Sequence, residues 1–511
     1  MNQGLTQERV VAGVLAAAAL LLAALVQAVP ATAATSVHRI ADLNPGVANS
    51  FPADFTGVGG STYFTAVGAG TGRELWRTDG HSAARVADIN PGPASSDPSD
   101  LTNLGGALVF VANDGAHGRE LWRYDGVNAP AMVADLANVG GSNPGDLANA
   151  AGTLFFHAQS DPATGDELWK YDGSNPPVLL AGPGGINPLG GSDPTDLTAI
   201  GGTVYFWAND PGHATELWKS NGTDAGTVLV EDINTGFTPP PALAPLGQAR
   251  TPMADVGGQL LFDANNNTDG IELWKYDGTN PPAEVLSAGG GINPGAGGST
   301  PAGITDINGT AFFSAVDGSH GIELWKSESP YTGASLISDI NPGLNSYPEK
   351  FTAVNGTVFF SAQNGLDGTE LWKTDGSSVS ELLSAVGGIR PGFFGSSPNY
   401  LTAFGNTLLF EANDGTGFEL WQSDGATASR VAQINPNGGS YPNALANVNG
   451  VVYFAADDGT TGSELWRTGP AVPGKKACRK KAKSKVKSAA KHKKKKKTCS
   501  RKKKHRRKHR H

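Results

Sequence analysis

Short segments in which apolar and polar residues alternate recur along the chain, and glycine- or asparagine-rich turns separate them. One unit contains an alternating segment such as residues 101–104, a Gly-Gly or Asn-Gly turn, a segment with a Phe, an Asp-Gly turn and a segment with Glu-Leu-Trp. A further apolar segment follows the Trp, as in residues 85–89. Alternation with a period of two indicates β-strands, and the Gly and Asn-Gly pairs are typical of tight hairpins. Each unit therefore predicts four short antiparallel strands.

This unit repeats along most of the chain. The Trp of Glu-Leu-Trp recurs at intervals of 45 to 56 residues, at Trp76, Trp122, Trp169, Trp218, Trp274, Trp325, Trp372, Trp421 and Trp466. A Phe precedes each Trp by 11 to 13 residues, at Phe64, Phe110, Phe156, Phe206, Phe262, Phe313, Phe360, Phe410 and Phe454. Four strands in a unit of this length are typical of a β-propeller blade.

The two ends of the repeat region complement each other. Residues 38–44 match the apolar segment that follows each Trp, but no such segment follows Trp466. An N-terminal strand that completes the last blade removes two sheet edges and closes a ring. We therefore predict an all-β protein, a β-propeller of about nine four-stranded blades closed by an N-terminal strand. A proline-rich insertion at residues 238–241 leaves two smaller rings as the alternative to the single ring that we favour.

Composition agrees with this fold. The 511 residues include 69 Gly and 33 Pro, which oppose helix interiors and exclude a helical bundle.

The repeats also resemble a known family. The segment Glu370-Leu371-Trp372-Lys373-Thr374-Asp375-Gly376 is similar to the signature of the bacterial ELWxxDGT-repeat proteins. The resemblance covers roughly residues 38–469 and implies export and a β-repeat fold, but no settled activity. Three units depart from the signature after the Trp, at residues 220–222, 327–329 and 468–469.

Charge divides the chain into an acidic body and a basic tail. Residues 475–511, called the tail below, contain 22 of the 39 Lys and Arg and no Asp or Glu. The remaining chain has 17 basic and 47 acidic side chains, a net charge of −30. The tail has too few apolar residues for a core, so we predict that it is disordered. Both cysteines, Cys478 and Cys499, lie in it, and whether they pair is left open.

The N-terminus predicts export. Residues 10–29 are almost all Ala, Leu and Val, and Ala31-Thr32-Ala33 has the small-x-small pattern of a signal-peptidase site. We interpret residues 1–34 as a signal peptide, with an uncleaved signal anchor as the alternative. A secreted or cell-surface protein follows. For the tail, anionic cell-envelope polymers or lipid head groups are then the favoured partners, ahead of nucleic acid.

Most repeated side chains predict structural roles. The Phe and Trp, for example Phe110, Trp76, Trp122, Phe360 and Trp372, have the spacing of a core repeated in every blade. Nine equivalent Glu residues, including Glu74, Glu120 and Glu370, argue against a catalytic pair, which needs two different environments. We expect these Glu side chains to accept N–H bonds from the preceding turn. Trp207 is the only Trp outside the motif, and we interpret it as a candidate surface aromatic.

Asp-Gly turns precede most Glu-Leu-Trp segments. Their carboxylates are candidate calcium ligands at Asp114, Asp269, Asp317, Asp367, Asp414 and Asp458. No segment has the spacing of a calcium-binding loop, so we favour turn chemistry and predict no cofactor.

Function is less specified than fold. The sequence has no G-x-S-x-G, H-E-x-x-H or phosphate-loop motif, and we assign no catalytic residue. Our first hypothesis is an exported, non-enzymatic propeller at residues 35–474 that binds a ligand or serves a structural role, held at the cell envelope by its tail. The alternatives are an extracellular enzyme that acts on polysaccharide at the propeller mouth and a nucleic-acid binder that acts through the tail. The ligand of the body stays unknown.

Overall fold

The computed structural model describes residues 35–469, apart from 138–139, 161–164, 181–185, 188–189, 235–252, 287–291, 294, 296, 383–388 and 391. The described part consists of 36 β-strands and one short 3-10 helix, Asp224–Gly226. Its strands form nine four-stranded antiparallel sheets, each of which is one blade of a β-propeller. In the described residues, no helix is long and apolar enough to cross a membrane.

Each blade contributes one strand to the inside of the ring. These inner strands are β2 (Ala53–Val58), β6 (Ser99–Leu104), β10 (Gly145–Ala150), β14 (Thr195–Ile200), β18 (Ala254–Val256), β22 (Ala302–Ile307), β26 (Glu349–Val354), β30 (Asn399–Phe404) and β34 (Asn443–Val448). The second strands, which contain the repeated Phe, are β3 (Ser61–Gly68), β7 (Ala107–Asn113), β11 (Thr153–Gln159), β15 (Thr203–Asp210), β19 (Gln259–Asn265), β23 (Thr310–Val316), β27 (Thr357–Gln363), β31 (Thr407–Asn413) and β35 (Val451–Asp457).

The other two strands form the outer half of each blade. The third strands contain Glu-Leu-Trp and are β4 (Gly72–Thr78), β8 (Arg119–Tyr124), β12 (Asp166–Tyr171), β16 (Ala214–Ser220), β20 (Ile271–Tyr276), β24 (Ile322–Glu328), β28 (Thr369–Thr374), β32 (Phe418–Ser423) and β36 (Ser463–Thr468). The outer strands are β5 (Ala83–Arg85), β9 (Ala131–Ala134), β13 (Val178–Leu179), β17 (Val228–Glu231), β21 (Ala283–Glu284), β25 (Ala334–Ser338), β29 (Val379–Glu381), β33 (Ala428–Arg430) and, for the ninth blade, β1 (Val37–Ala41).

The nine blades form one closed ring. Each inner strand contacts the inner strand of the next blade, and β34 of the last blade contacts β2 of the first. The ninth sheet has the strand order β1-β36-β35-β34, so the N-terminal strand completes it. Beyond this strand pair, Gly469 N donates to Ser36 O at 2.9 Å and Ser36 Oγ donates to Gly469 O at 2.8 Å. The predicted fold class and the predicted closure are confirmed.

The single ring is also confirmed, because β14 of the fourth blade contacts β18 of the fifth. The insertion at residues 238–241 lies outside the described residues, as do the predicted signal segment and the tail.

Hairpin turns follow the sequence signals. The turn between β22 and β23 contains Asn308 and Gly309, whose φ angles are 56° and 80°. Two successive positive φ angles match the right-handed twist of the flanking strands, which explains the preference for Asn-Gly.

Outer strands are shorter than the sequence indicates. Residues 85–89 predict a strand, but β5 ends at Arg85 and the chain then leaves the sheet. Val86 N still donates to Leu75 O at 2.8 Å, whereas Ile89 N donates to the Glu74 carboxylate at 3.0 Å. A side-chain acceptor in the neighbouring strand therefore replaces the β-ladder at this point.

The hydrophobic core lies between neighbouring blades. One cluster combines Tyr63 and Leu75 of the first blade with Phe110 and Tyr124 of the second. The rings of Tyr63 and Tyr124 meet edge to face at 5.7 Å. Both faces of a blade are covered in this way.

Candidate functional site

The repeated Phe and Trp form one cross-strand pair in every blade. Phe64 lies opposite Trp76 in the register of β3 and β4, and the other eight blades repeat this pairing. All nine Phe side chains are fully buried. Trp372 is buried, Trp76 and Trp122 are half-buried, and the indoles of Trp76 and Trp122 donate to the carbonyls of Ala66 and Ala112. These aromatic side chains serve the core.

The repeated Glu joins neighbouring blades. Glu74 accepts hydrogen bonds from Ser96 N at 3.0 Å and from Ser96 Oγ at 2.7 Å. The carbonyl of Ser96 in turn accepts the N–H of Asn113 in the second blade, at 2.9 Å. The Ser therefore connects the carboxylate of one blade to the second strand of the next. We call these residues the latch glutamate and the latch serine.

Most blades contain the same latch. The serine hydroxyl donates to the latch glutamate at Glu74–Ser96, Glu120–Ser142, Glu167–Ser192, Glu272–Ser299, Glu323–Ser346, Glu370–Ser396, Glu419–Ser440 and Glu464–Ser50. Glu216 of the fourth blade instead accepts Ile233 N at 3.1 Å. Burial raises the pKa of the eight serine-bonded carboxyls, to about 7 for Glu370 and to about 6 for Glu464.

The latch differs from the expectation in one respect. The donors come from the connection that follows the Glu, not from the turn that precedes it. The sequence contained a signal for this connection in eight Ser-x-Pro tripeptides, at residues 50–52, 96–98, 142–144, 192–194, 299–301, 346–348, 396–398 and 440–442. All eight Ser residues are fully buried.

Five positions beside the latch differ from blade to blade. The clearest follows the repeated Phe: the flanking Phe-x-Ala is the same in all nine blades, whereas x is Thr65, Val111, His157, Trp207, Asp263, Ser314, Ser361, Glu411 and Ala455. The others are the residue between latch serine and Pro, the first two residues of the inner strand, and the residue before the latch glutamate. Because inner strands line the ring, these positions surround the end at which those strands begin. We call that end the mouth and these the mouth positions.

In the first blade, mouth positions bond to each other. Arg73 Nη1 donates to Thr65 Oγ1 and to Phe51 O, both at 3.0 Å, and Thr65 Oγ1 donates to Asp54 at 3.0 Å. The polar groups of this blade are thus largely occupied.

In the third blade, His157 Nδ1 lies 2.8 Å from the Asp166 carboxylate. Burial opposes the imidazolium, but the hydrogen bond and charge of Asp166 prevail and raise the pKa of His157. The two side chains form an ion pair when the imidazole is protonated.

In the fourth blade, Trp207 fills the mouth position. It is 1% exposed, and its ring packs edge to face on Phe262 of the next blade at 5.6 Å. The interpretation of Trp207 as a surface aromatic is wrong, because this side chain is buried against the adjacent blade.

Blades seven to nine leave a cavity at the mouth. It has a volume of about 420 Å³ and is lined by Glu349, Lys350, Thr369, Ser397, Pro398, Asn399, Glu411, Phe418 and Tyr441. Every lining residue except Pro398 occupies a mouth position. The volume lies in the range of about 300–1,000 Å³ that is usual for small-ligand sites. We call it the mouth cavity.

Glu411 is the electrostatic centre of this cavity. Its side chain is 8% exposed, and no described residue donates a hydrogen bond to it. Burial raises the pKa of Glu411 to about 7, although the nearby Lys350 ammonium lowers it. Lys350 itself contacts the Glu349 carboxylate at 2.6 Å. The cavity therefore contains a carboxyl group that is close to half-protonated at neutral pH.

The candidate calcium ligands lie apart, on six loops between second and third strands. Their carboxylates serve the loops: Asp114 accepts Ala116 N and His117 N, and Asp458 accepts Thr460 N and Thr461 N, all at 2.9 Å. Asp317 and Asp414 accept similar turn bonds, whereas Asp269 contacts Asn266 and Asp367 accepts Gly392 N. Among the residues described, no three His, Cys, Asp or Glu lie together as a metal site. Calcium binding stays a prediction without a clustered ligand set.

Comparisons with known proteins bear on part of the chain. A family model described as the outer membrane protein assembly factor BamB matches residues 61–206, from β3 to β15. No curated protein matches the chain.

Solved structures share distant likenesses. The chain is similar to a puromycin hydrolase, with 15% identity over 73% of this chain and 59% of that chain and a TM-score of 0.34. A prolyl endopeptidase has 13% identity over 63% of this chain and 49% of that chain, with a TM-score of 0.37. The β-propeller domain of the Trilobed protease from Pyrococcus furiosus has 10% identity over 65% of this chain and 98% of that chain, with a TM-score of 0.35. The chain thus spans about half to three-fifths of the puromycin hydrolase and the prolyl endopeptidase. No activity follows from likenesses of this size.

Proposed function

We propose that this protein is an exported, non-enzymatic binding module whose ligand occupies the mouth cavity, while the tail holds the protein at the cell envelope. The cavity carries this proposal, because eight of its nine lining residues occupy the positions that differ between blades. In the fourth blade such a variable residue, Trp207, fills the space against the next blade, whereas in blades seven to nine the variable residues leave an open cavity. A ligand that contacts only some blades is expected to require different residues there than at the equivalent positions of the other blades.

Sequence features support the envelope location. The apolar residues 10–29 and the Ala31-Thr32-Ala33 site favour export. The 22 basic side chains of the tail favour binding to anionic envelope polymers or lipid head groups by counterion release. The matched family model carries the description of an outer-membrane assembly factor, and we extend an envelope context to this chain as part of the proposal. Membership of the ELWxxDGT-repeat proteins belongs to the same proposal.

A second candidate is an enzyme that acts on polysaccharide at the same cavity. Glu411, with a pKa raised to about 7 by burial, has the character of a general acid, and Glu349 lies in the same cavity. Turnover of an envelope polysaccharide that is abolished by Glu411→Gln would support the enzyme. Binding without turnover supports the module.

Cell fractionation tests the role of the tail. The full chain is compared with a chain truncated after Gly474 and with a matched control whose tail has the same length but Gln at every Lys and Arg. We expect the full chain to stay with the envelope until salt of about 0.5 M releases it, and both variants to appear in the medium. Equal partitioning of all three proteins contradicts the anchor. Retention of all three through the salt wash indicates an uncleaved anchor at residues 10–29.

A further inference from the structure

The mouth cavity combines aromatic rings with hydroxyl, amide and carboxyl groups. Phe418 and Tyr441 lie side by side, with ring centroids 6.1 Å apart and planes tilted by 40°. Tyr441 is 56% exposed, so its ring is accessible from the mouth. Thr369, Ser397 and Asn399 add hydroxyl and amide groups to the same wall. Asn399 Oδ1 already accepts Tyr400 N, but a purely apolar ligand would leave the Asn399 amino group and the two hydroxyls without partners, at about 1–3 kcal/mol each.

Charge narrows the ligand further. The two carboxyls, Glu349 and Glu411, outnumber the single ammonium of Lys350. While Glu411 is protonated, the charges of Glu349 and Lys350 cancel and the cavity has no net positive charge to attract an anion. Once Glu411 ionises, the excess negative charge repels an anionic ligand inside a half-buried site, where Coulomb energies are larger than in water. Lys350 is already paired with Glu349 at 2.6 Å, which leaves no unpaired cation for a phosphate or uronate.

Glu411 favours an uncharged polar ligand over a cation. Its carboxyl lies in a buried environment that holds the proton up to about neutral pH. A protonated carboxyl both donates and accepts a hydrogen bond, as does a hydroxyl group. Aliphatic hydroxyls and amides are then the natural partners of Glu411, Asn399 and Ser397.

We propose that the mouth cavity binds a neutral saccharide, with one face of a sugar ring on Tyr441 and Phe418 and its hydroxyls on Glu411, Asn399 and Ser397. This inference rests on the proposed function of the mouth as a binding site. A pyranose has an apolar face of C–H groups and an edge of hydroxyls, which matches a wall that is aromatic on one side and polar on the other. The volume of about 420 Å³ suits a short stretch of a glycan rather than a single small ion.

Titration calorimetry on the purified full chain tests the saccharide. The probes are tetramers of β-1,4-linked glucose, N-acetylglucosamine and mannose, with tetragalacturonate as the anionic arm and a glucosamine tetramer as the cationic arm. Salt of about 0.5 M suppresses binding of the anionic probe by the tail. A pH of about 6 keeps most of Glu411 protonated. We expect at least one neutral tetramer to bind and the anionic tetramer not to bind.

The chain offers a matched control for the aromatic wall. Tyr441 and Phe51 occupy the same place between latch serine and Pro, with φ angles of 48° and 45°, and both are about half exposed. Only Tyr441 lines the cavity. We expect Tyr441→Ala and Phe418→Ala each to weaken binding of the neutral tetramer about tenfold or more, and Phe51→Ala to leave it within about twofold.

Each outcome decides the inference. Binding of a neutral tetramer that Tyr441→Ala weakens and Phe51→Ala does not supports it. It is overturned if none of the three neutral tetramers binds, if either charged tetramer binds more tightly, or if Phe51→Ala and Tyr441→Ala have equal effects. The tail does not enter these outcomes, so failure of the envelope anchor in fractionation and failure of saccharide binding are separate results.

Discussion

Glu370 and Glu411 show how two regions of the propeller use the same buried group. Burial raises the pKa of each carboxyl to about 7. Glu370 belongs to the latch and accepts hydrogen bonds from the main chain and hydroxyl of Ser396. Glu411 lies at the mouth, where no described residue donates to it. A raised pKa alone therefore does not distinguish the two carboxyls, whereas the set of hydrogen-bond partners does.

The same difference separates the repeated framework from the mouth. The latch glutamates are buried and accept hydrogen bonds from within the protein, so they contribute to the stability of the fold. In the mouth cavity, Glu411 has no hydrogen-bond donor among the described residues and the ring of Tyr441 is exposed, so these groups can contact a ligand. Substitutions in the framework should therefore mainly lower the free energy of unfolding, whereas substitutions in the mouth cavity should mainly weaken ligand binding.

The largest contrast is expected between two phenylalanines. Phe360 is fully buried in the core, while Phe418 is half-buried in the cavity wall. Phe360→Ala should lower the free energy of unfolding by about 3–5 kcal/mol, and Phe418→Ala by about 1 kcal/mol or less. Chemical denaturation of both variants measures the difference. Similar losses would mean that the cavity wall is part of the core.

A smaller contrast is expected at the two carboxyls. Glu370→Gln places an amide against the donors of Ser396, so we expect a loss of about 2–3 kcal/mol in the free energy of unfolding. Ser396→Ala in the same background separates the hydroxyl from the other contacts, and the two substitutions should be non-additive. Additive losses would contradict the latch.

Glu411→Gln should behave in the opposite way, and its effect should depend on pH. A carboxyl whose pKa rises from 4.5 in the unfolded chain to about 7 in the folded one binds more protons when folded, so its ionisation destabilises the protein as pH rises across that window. Glu411→Gln removes this loss. The variant should equal the wild type below about pH 4.5 and exceed it by about 1–2 kcal/mol above pH 7. Denaturation at a series of pH values checks this, and a constant difference would contradict it.

The smallest effect is expected at the loop aspartates. Although burial opposes it, hydrogen bonds from Thr460 and Thr461 lower the pKa of Asp458 to about 2. Asp458→Ala should therefore cost about 1 kcal/mol at neutral pH. Thermal unfolding with and without calcium provides the second measurement. A large calcium-dependent stabilisation that Asp458→Ala removes would show that these turns bind metal.

Most of the fold was predictable from the sequence, because the residues that pack the core of a blade recur nine times at nearly constant spacing. The Phe, the Trp and the Asn-Gly turns each have one local meaning, and residues 38–44 indicated the closing strand. The latch was only half visible, since Glu74 and Ser96 are 22 residues apart and meet through a connection without regular structure. The Ser-x-Pro repeat was its available signal.

The mouth cavity was not predictable in the same way. Glu349, Glu411 and Tyr441 come from three different blades and contact one space only after the ring has formed. In the sequence these residues are recognisable only because they differ between blades while the positions around them are constant. Trp207 shows that variation alone is insufficient, because the same position in another blade is filled by packing.

The hydrogen bonds between Ser36 and Gly469 bring the two ends of the propeller together, which bears on where the chain can begin. Because the two ends of the propeller are adjacent, the chain could start at a different blade and keep the same cyclic order of blades. A circularly permuted chain, joined at these ends and opened at an exposed turn elsewhere, would have the same blade interfaces and the same mouth. The blade interfaces therefore do not depend on which blade comes first in the chain.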